Sequence, residues 1–185
     1  MFIYFLNFRY PDDALDRRWF YSDDINNFEP NWTTISTTSN VNPGLNYKLP
    51  TAVMSTAIKP TNDSEPLVYS WYTFRDTVYY AYLHFAEIEE LKANESRSFD
   101  IFLNGERFDG PVSPSYLNVT TIYRESPLPI VTDFFQKSNF TLIRRQNSTL
   151  PPIFNATEIY LSLDLSQWET NQDEGMFLLV FKSAV

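Results

Sequence analysis

Few side chains in this sequence could make or break bonds, and their spacing suits that work poorly. His84 is the only histidine, and there is no cysteine. Thiol catalysis, disulfides and cysteine-type zinc sites are excluded, and a transition-metal site is not expected. His84 sits inside the run from Tyr79 to Glu87, where a hydrogen-bonded strand histidine is the expected reading. Carboxylates cluster at Glu87, Glu89 and Glu90, at Asp23 and Asp24, and at Asp12, Asp13 and Asp16. Glycoside hydrolysis needs two carboxyls facing each other at a set separation, which no sequence spacing here dictates. The Asp12, Asp13 and Asp16 group lacks EF-hand spacing and reads as solvated loop acids. There is no Gly-x-Ser-x-Gly elbow, and four glycines leave no phosphate-cradling loop. Catalytic residues, metal ligands and cofactors are therefore expected to be none.

Aromatic residues carry the remaining chemistry, and it is the chemistry of binding. Aromatics make up 17% of the chain, with 12 tyrosines and 4 tryptophans. Tyrosine and tryptophan combine an apolar ring with a polar handle, which suits both sugar stacking and protein interfaces. Most of these rings are expected to fill a core. Those expected in loops, Trp71, Tyr72 and Tyr116, are the candidate ligand contacts. Glu89 and Glu90 join them as hydrogen-bond acceptors. The net charge of −9 disfavours nucleic acid and anionic membrane surfaces. It suits a soluble secreted surface, or an acidic dock for a basic peptide.

Compartment is argued by two opposed signals. Absence of cysteine leans cytosolic. Against it stand seven Asn-x-Ser/Thr sequons, at Asn31, Asn62, Asn94, Asn118, Asn139, Asn147 and Asn155. Chance would give roughly two from this composition. Glycans are added only in the secretory pathway and must project into water, so the chain is read as lumenal or extracellular. Asn31, Asn62, Asn94, Asn118, Asn139 and Asn147 are the expected glycosylation sites. Asn155 is the weakest, because it opens a core-like strand. No signal peptide is read at Met1 to Phe8, and Met176 to Phe181 is far shorter than a membrane span. The expectation is a fragment of a longer extracellular protein.

The elements that would position these groups are strands. Phe99, Ile101 and Leu103 alternate with Ser98, Asp100 and Phe102, and Asn104-Gly105 follows as a type I′ hairpin turn. Ile159, Leu161, Leu163 and Leu165 alternate with Glu158, Tyr160, Ser162 and Asp164. Val78 to Ile88 is apolar on both faces, as in a strand covered on both sides. Ala52 to Ile58, Leu67 to Phe74, Tyr116 to Tyr123 and Phe140 to Arg144 are further strand candidates. Prolines fall mostly between these runs. Many short strands with proline-rich turns imply an all-β sandwich or jelly roll. Its core is expected to hold Val53, Leu83, Phe85, Phe99, Ile101, Leu103, Leu142, Ile159, Leu161 and Leu163.

Several stretches together resemble a known family. Arg9-Tyr10-Pro11-Asp12-Asp13 with Asp16-Arg17 and Trp19 comes first, then Trp32 to Ser36 and Pro50 to Ala57. Tyr82 to Ile88, Asn94 to Gly105 and Ser148 to Tyr160 follow in order. The series resembles the second half of the malectin-like region of plant leucine-rich-repeat receptor-like kinases. The resemblance implies a malectin-type, jelly-roll-like β-sandwich of antiparallel sheets, spanning residues 1–173, with residues 174–185 an atypical tail. It also implies a non-enzymatic module of a receptor ectodomain, plasma-membrane-attached only in a full-length parent. The tandem first malectin domain and the serine/threonine kinase of such a parent are absent from this chain. The partner would be a peptide ligand or a co-receptor ectodomain; the alternative is an oligosaccharide of the cell wall or lumen. Animal malectin carries a sugar-contacting aromatic pair where this sequence has Glu89 and Glu90, so its sugar specificity does not carry over.

Overall fold

A computed structural model of the chain describes residues 7–21, 31–74, 77–129, 135–162 and 179–184. The strands are β1 (Asn7–Phe8), β2 (Trp19–Tyr21), β3 (Trp32–Ser36), β4 (Thr56–Pro60), β5 (Leu67–Phe74) and β6 (Val78–Phe85). After them come β7 (Phe99–Leu103), β8 (Glu106–Val112), β9 (Thr120–Tyr123), β10 (Phe135–Arg144), β11 (Ala156–Ser162) and β12 (Leu179–Ala184). One short helix, α1 (Thr51–Met54), precedes β4.

Six strands form one sheet in the order β1-β2-β12-β11-β6-β9, and four form another in the order β5-β10-β7-β8. β3 and β4 pair as a separate antiparallel ribbon. The other pairings are antiparallel except that of β12 with β2. Strand-face alternation then does the packing. Tyr79, Ala81, Leu83 and Phe85 of β6 and Ile159 and Leu161 of β11 meet Trp71, Ile101, Phe140 and Leu142 of the four-stranded sheet in one core. Complete burial of each leucine, isoleucine or phenylalanine among them contributes roughly 1.5–3 kcal/mol. The fold is the expected all-β sandwich.

Nine of the ten expected core residues are buried; Leu163 lies outside the described residues. Asn104 and Gly105 have φ of 49° and 87°, as a type I′ turn requires. Ala52 to Ile58, read as a strand, divides instead into α1 and the start of β4. Val53 and Met54 are buried, because the helical turn seats them in a second core with Trp19, Ile88 and Ile153. Part of the stretch expected to be an atypical tail, Leu179–Ala184, runs as β12 between β11 and β2.

Asn155 joins these parts. Its side-chain oxygen accepts from the Ala86 amide at 2.8 Å, and its amide donates to Met54 O at 3.3 Å and Thr56 O at 3.0 Å. It is fully buried. One amide thus satisfies three main-chain groups from α1, β4 and the end of β6.

A tyrosine cleft on the outer face of the six-stranded sheet

Val78 to Ile88 was expected to be covered on both faces. Its core face is covered, but the opposite face carries Tyr80, Tyr82 and His84 and opens into a cleft. Register builds that cleft. β11 pairs with β6 so that Tyr160 lies opposite Tyr80, Glu158 opposite Tyr82 and Ala156 opposite His84. On the other side of β6, Tyr123 of β9 lies opposite Tyr82, and Thr121 opposite His84. Directly opposed residues share a sheet face. Three strands therefore present a row of Glu158, Tyr82 and Tyr123, flanked by Tyr160 and Tyr80. Tyr47, from the connection between β3 and α1, leans over it. Tyr47, Tyr80, Tyr82, Tyr160 and Glu158 line a cleft of about 450 Å³, within the size range of ligand pockets.

The rings form one contiguous set around Tyr82. Tyr123 stacks on Tyr82 at 5.3 Å between centroids, and Tyr160 meets it edge-on at 5.5 Å. Tyr47 lies 5.7 Å from both Tyr82 and His84. These separations fall in the favourable range for aromatic pairs.

Beneath the rings is a buried ionic cluster. Arg17 Nη1 donates to Glu158 Oε1 at 2.8 Å, and Arg17 Nε donates to Asp13 at 2.9 Å. Its remaining donors reach the carbonyls of Tyr47 and Lys48. Trp19 Nε1 donates to Asp13 at 2.8 Å, and the Arg17 guanidinium lies 5.2 Å from the Trp19 ring. Burial opposes ionisation of Asp13, but the Arg17 and Trp19 hydrogen bonds outweigh it and hold its carboxyl below the usual value. Asp13, expected to be a solvated loop acid, is buried for this reason.

His84 and Tyr160 complete the floor. His84 is fully buried, with Nδ1 at 2.9 Å from Thr121 Oγ1 and Nε2 at 3.8 Å from Glu158 Oε2. Burial lowers its pKa against the pull of Glu158, so the imidazole is neutral at pH 7. Burial, reinforced by Glu158, raises the Tyr160 hydroxyl well above the ordinary tyrosine value. Burial also raises Tyr47, with Tyr123 and Tyr82 adding to it. The Tyr47 and Tyr160 hydroxyls therefore hold their protons, and the cleft presents them with its ring faces.

The sequence-based contact candidates lie elsewhere. Trp71 is buried, stacked on Phe140 at 4.8 Å between centroids, so its ring belongs to the core; that expectation is corrected. Tyr72 is exposed on β5 of the four-stranded sheet. Tyr116 is exposed in the connection after β8, where its backbone bridges to Glu87. Glu89 accepts from Arg97 at 2.7 Å and from Lys59 at 3.2 Å, which ties both its oxygens to the protein. Glu90 is exposed. Sequence reading missed Tyr47, Tyr160 and Glu158 and gave Tyr80 and Tyr82 no role. The period-two placement of tyrosine at 80 and 82, opposite Glu158 and Tyr160, was the available signal.

An all-β sandwich with an open aromatic cleft on one outer sheet face is the class that fold and site define. The chain belongs to the malectin-like domain family, whose model matches residues 3–162. It is 44% identical over 167 residues to a probable LRR receptor-like serine/threonine-protein kinase of Arabidopsis thaliana, At5g59680, covering 90% of this chain and 18% of that protein. The chain thus spans about a fifth of that relative's length. The matched segment is a malectin-like domain and not a kinase domain. A crystal structure of the plant receptor-like kinase FER superposes with TM-score 0.69 at 18% identity, over 85% of this chain and 47% of that one. A structure of plant peptide RALF23 in complex with FER and LLG2 superposes with TM-score 0.65 at 16% identity, over 85% and 46%. Among the described residues no helix is long and apolar enough to cross a membrane.

Proposed function

We propose that this chain is a non-enzymatic extracellular recognition module of a receptor-like kinase ectodomain, binding a peptide or partner protein through the tyrosine cleft. The cleft itself carries this reading: three tyrosines gathered by register on one sheet face with Tyr47 leaning over them, above a floor of fixed charges. The lining rings are half-buried, with Tyr123 exposed beside them, and clustered solvent-accessible aromatics mark binding surfaces.

The placement of the sequons supports the same face. Asn31, Asn62, Asn94, Asn118 and Asn147 are exposed, and Asn139 is half-buried on β10 of the four-stranded sheet. None of the seven sequon asparagines falls on a strand of the six-stranded sheet. Glycans at these positions would leave the strands that carry the cleft clear. RALF23, FER and LLG2 together show that a structurally similar receptor is found with a peptide and a second protein.

A second reading, an oligosaccharide ligand, is favoured by the same ring faces, on which the C–H faces of a sugar can stack. The two are separated by presenting secreted, glycosylated protein to arrays of peptides and of plant oligosaccharides, in parallel with Tyr80→Ala and Tyr82→Ala. Peptide binding lost in the variants supports the first reading. Saturable glycan binding lost in the same variants replaces it with the second. Binding that ignores both substitutions rejects the cleft.

A further inference from the structure

We propose that the cleft takes a basic, proline-rich peptide segment in the polyproline II conformation; this rests on the cleft being the recognition site argued above.

The first argument is what the cleft has left to offer. Its carboxylate is committed inside the protein: Glu158 accepts from Arg17 at 2.8 Å and from the Tyr160 hydroxyl at 3.0 Å. Tyr160 therefore spends its donor internally. The ligand meets ring faces, together with hydroxyl donors on Tyr80 and Tyr82. A proline-rich segment matches that supply. Its pyrrolidine rings are apolar plates, its carbonyls accept hydrogen bonds, and its prolines have no N–H that would need an acceptor. An ordinary extended strand or a sugar brings N–H or O–H donors, and the one carboxylate of the cleft is already engaged by Arg17 and Tyr160, which leaves tyrosine hydroxyls as the acceptors.

The second argument is conformational. Polyproline II segments are already extended before binding, so they lose little entropy on a static aromatic surface. The rings here brace one another: Tyr82 lies against Tyr123, Tyr160 and Tyr47, all within 5.3–5.7 Å. Tyr123 is 44% exposed and continues the ring set beyond the cleft lining, so neighbouring ligand residues also find a ring.

The third argument is charge. The chain carries −9. A basic segment is steered toward it and an acidic one repelled.

The test is calorimetric titration of the secreted, full 185-residue chain with a synthetic proline decamer followed by a lysine pair. The control peptide keeps the lysines and replaces the prolines with glycine and serine. Saturable binding of the proline peptide is expected, about tenfold or more tighter than the control, and about tenfold weakened by Tyr82→Ala. Should Tyr82→Ala fail to fold, Tyr80→Ala and Tyr82→Phe serve, each expected to weaken binding about three- to tenfold at unchanged circular dichroism. Equal binding of both peptides would show attraction by charge alone and overturn the proposal, as would indifference to the tyrosine variants or no binding at all. A parallel panel of proline-free basic peptides and oligosaccharides separates the two levels. Tyrosine-dependent binding of one of those removes the proline assignment and leaves the cleft as the recognition site. A panel with no tyrosine-dependent binding removes both.

Discussion

Tyr160 donates a 3.0 Å hydrogen bond to Glu158, two residues earlier on the same strand. Residues at this spacing share a sheet face, so the bond joins a ring of the cleft wall to the ion pair in its floor. Tyr160→Phe keeps the ring and deletes the donor. It is expected to lower stability by about 1–2 kcal/mol, in the range for a hydrogen bond to a charged group. Urea unfolding at neutral pH measures this. Because the folded pKa of Tyr160 is raised above the ordinary 10.0, the unfolded chain ionises first, and this residue's share of stability falls as pH rises past that value. Wild type is expected to lose stability more steeply than Tyr160→Phe above pH 10; parallel curves would contradict the coupling.

Arg17 should be the most sensitive charge in the molecule. It is buried between Asp13 and Glu158 and also donates to two carbonyls. Arg17→Met leaves two buried carboxylates without their counter-ion, and about 3–5 kcal/mol of stability is expected to be lost. Arg17→Lys should recover little of it, since an ammonium cannot reproduce the planar fork. Denaturant midpoints of the two variants decide the point, and a lysine variant close to wild type would refute the geometric argument.

His84 gives a dependence on acid. Its folded pKa is depressed below the ordinary 6.5 by burial, and only partly restored by Glu158. Below 6.5 the unfolded chain takes up a proton that the folded chain refuses. Stability is therefore full above this value and falls as pH drops toward the folded pKa. The groups facing the ring are Thr121, Tyr47 and Glu158, with Arg17 acting against protonation. Denaturation from pH 7.5 to pH 5 should show the loss in wild type and a flatter profile in His84→Gln. Asp13, whose pKa is lowered, acts in a separate and more acidic window.

How much of this was legible follows from what each feature depends on. Phe99 to Leu103 and the Asn104-Gly105 turn were readable because alternation and turn chemistry are local. The burial of Leu83, Phe85, Ile159 and Leu161 was readable for the same reason. Trp71 was misplaced because reading it as a loop aromatic ignores its position within the Leu67 to Phe74 strand candidate, where the sheet turns it inward onto Phe140. Of the cleft, only the period-two tyrosines at 80 and 82 were legible; its assembly was not. It depends on register between β6 and β11, which are 70 or more residues apart, and a one-residue slip would send Tyr160 and Glu158 to the other face. Asp13 shows the same limit, since its partner Arg17 is near in sequence but the Glu158 that completes the cluster is not.

Trp71→Ala is expected to act on folding. Removal of a buried ring stacked on Phe140 and Tyr69 should cost about 3–5 kcal/mol. Tyr72→Ala, on an exposed neighbour, should cost far less. Thermal melts compare the two directly. A Trp71 variant that melts like wild type would return that residue to the surface.

The sequons make the last expectation, and it turns on a single amide. Asn31, Asn62, Asn94, Asn118 and Asn147 are exposed, and each can carry a glycan in the folded chain. Asn139 is half-buried within β10, and its side-chain oxygen accepts from Thr141 at 3.0 Å, so lower occupancy is expected there. Asn155 has no room, because its amide is spent on Met54 O and Thr56 O inside the protein. A glycan attached there during synthesis would prevent the strand from docking, so folded, secreted protein should contain none. Enzymatic deglycosylation in heavy-oxygen water, followed by peptide mass spectrometry, reads each site separately. Removing the amide tests the structural half: Asn155→Ala leaves three main-chain groups short of a partner and should cost about 2–4 kcal/mol. A glycan found on Asn155 in folded material, or an alanine variant as stable as wild type, would contradict the buried placement of this residue.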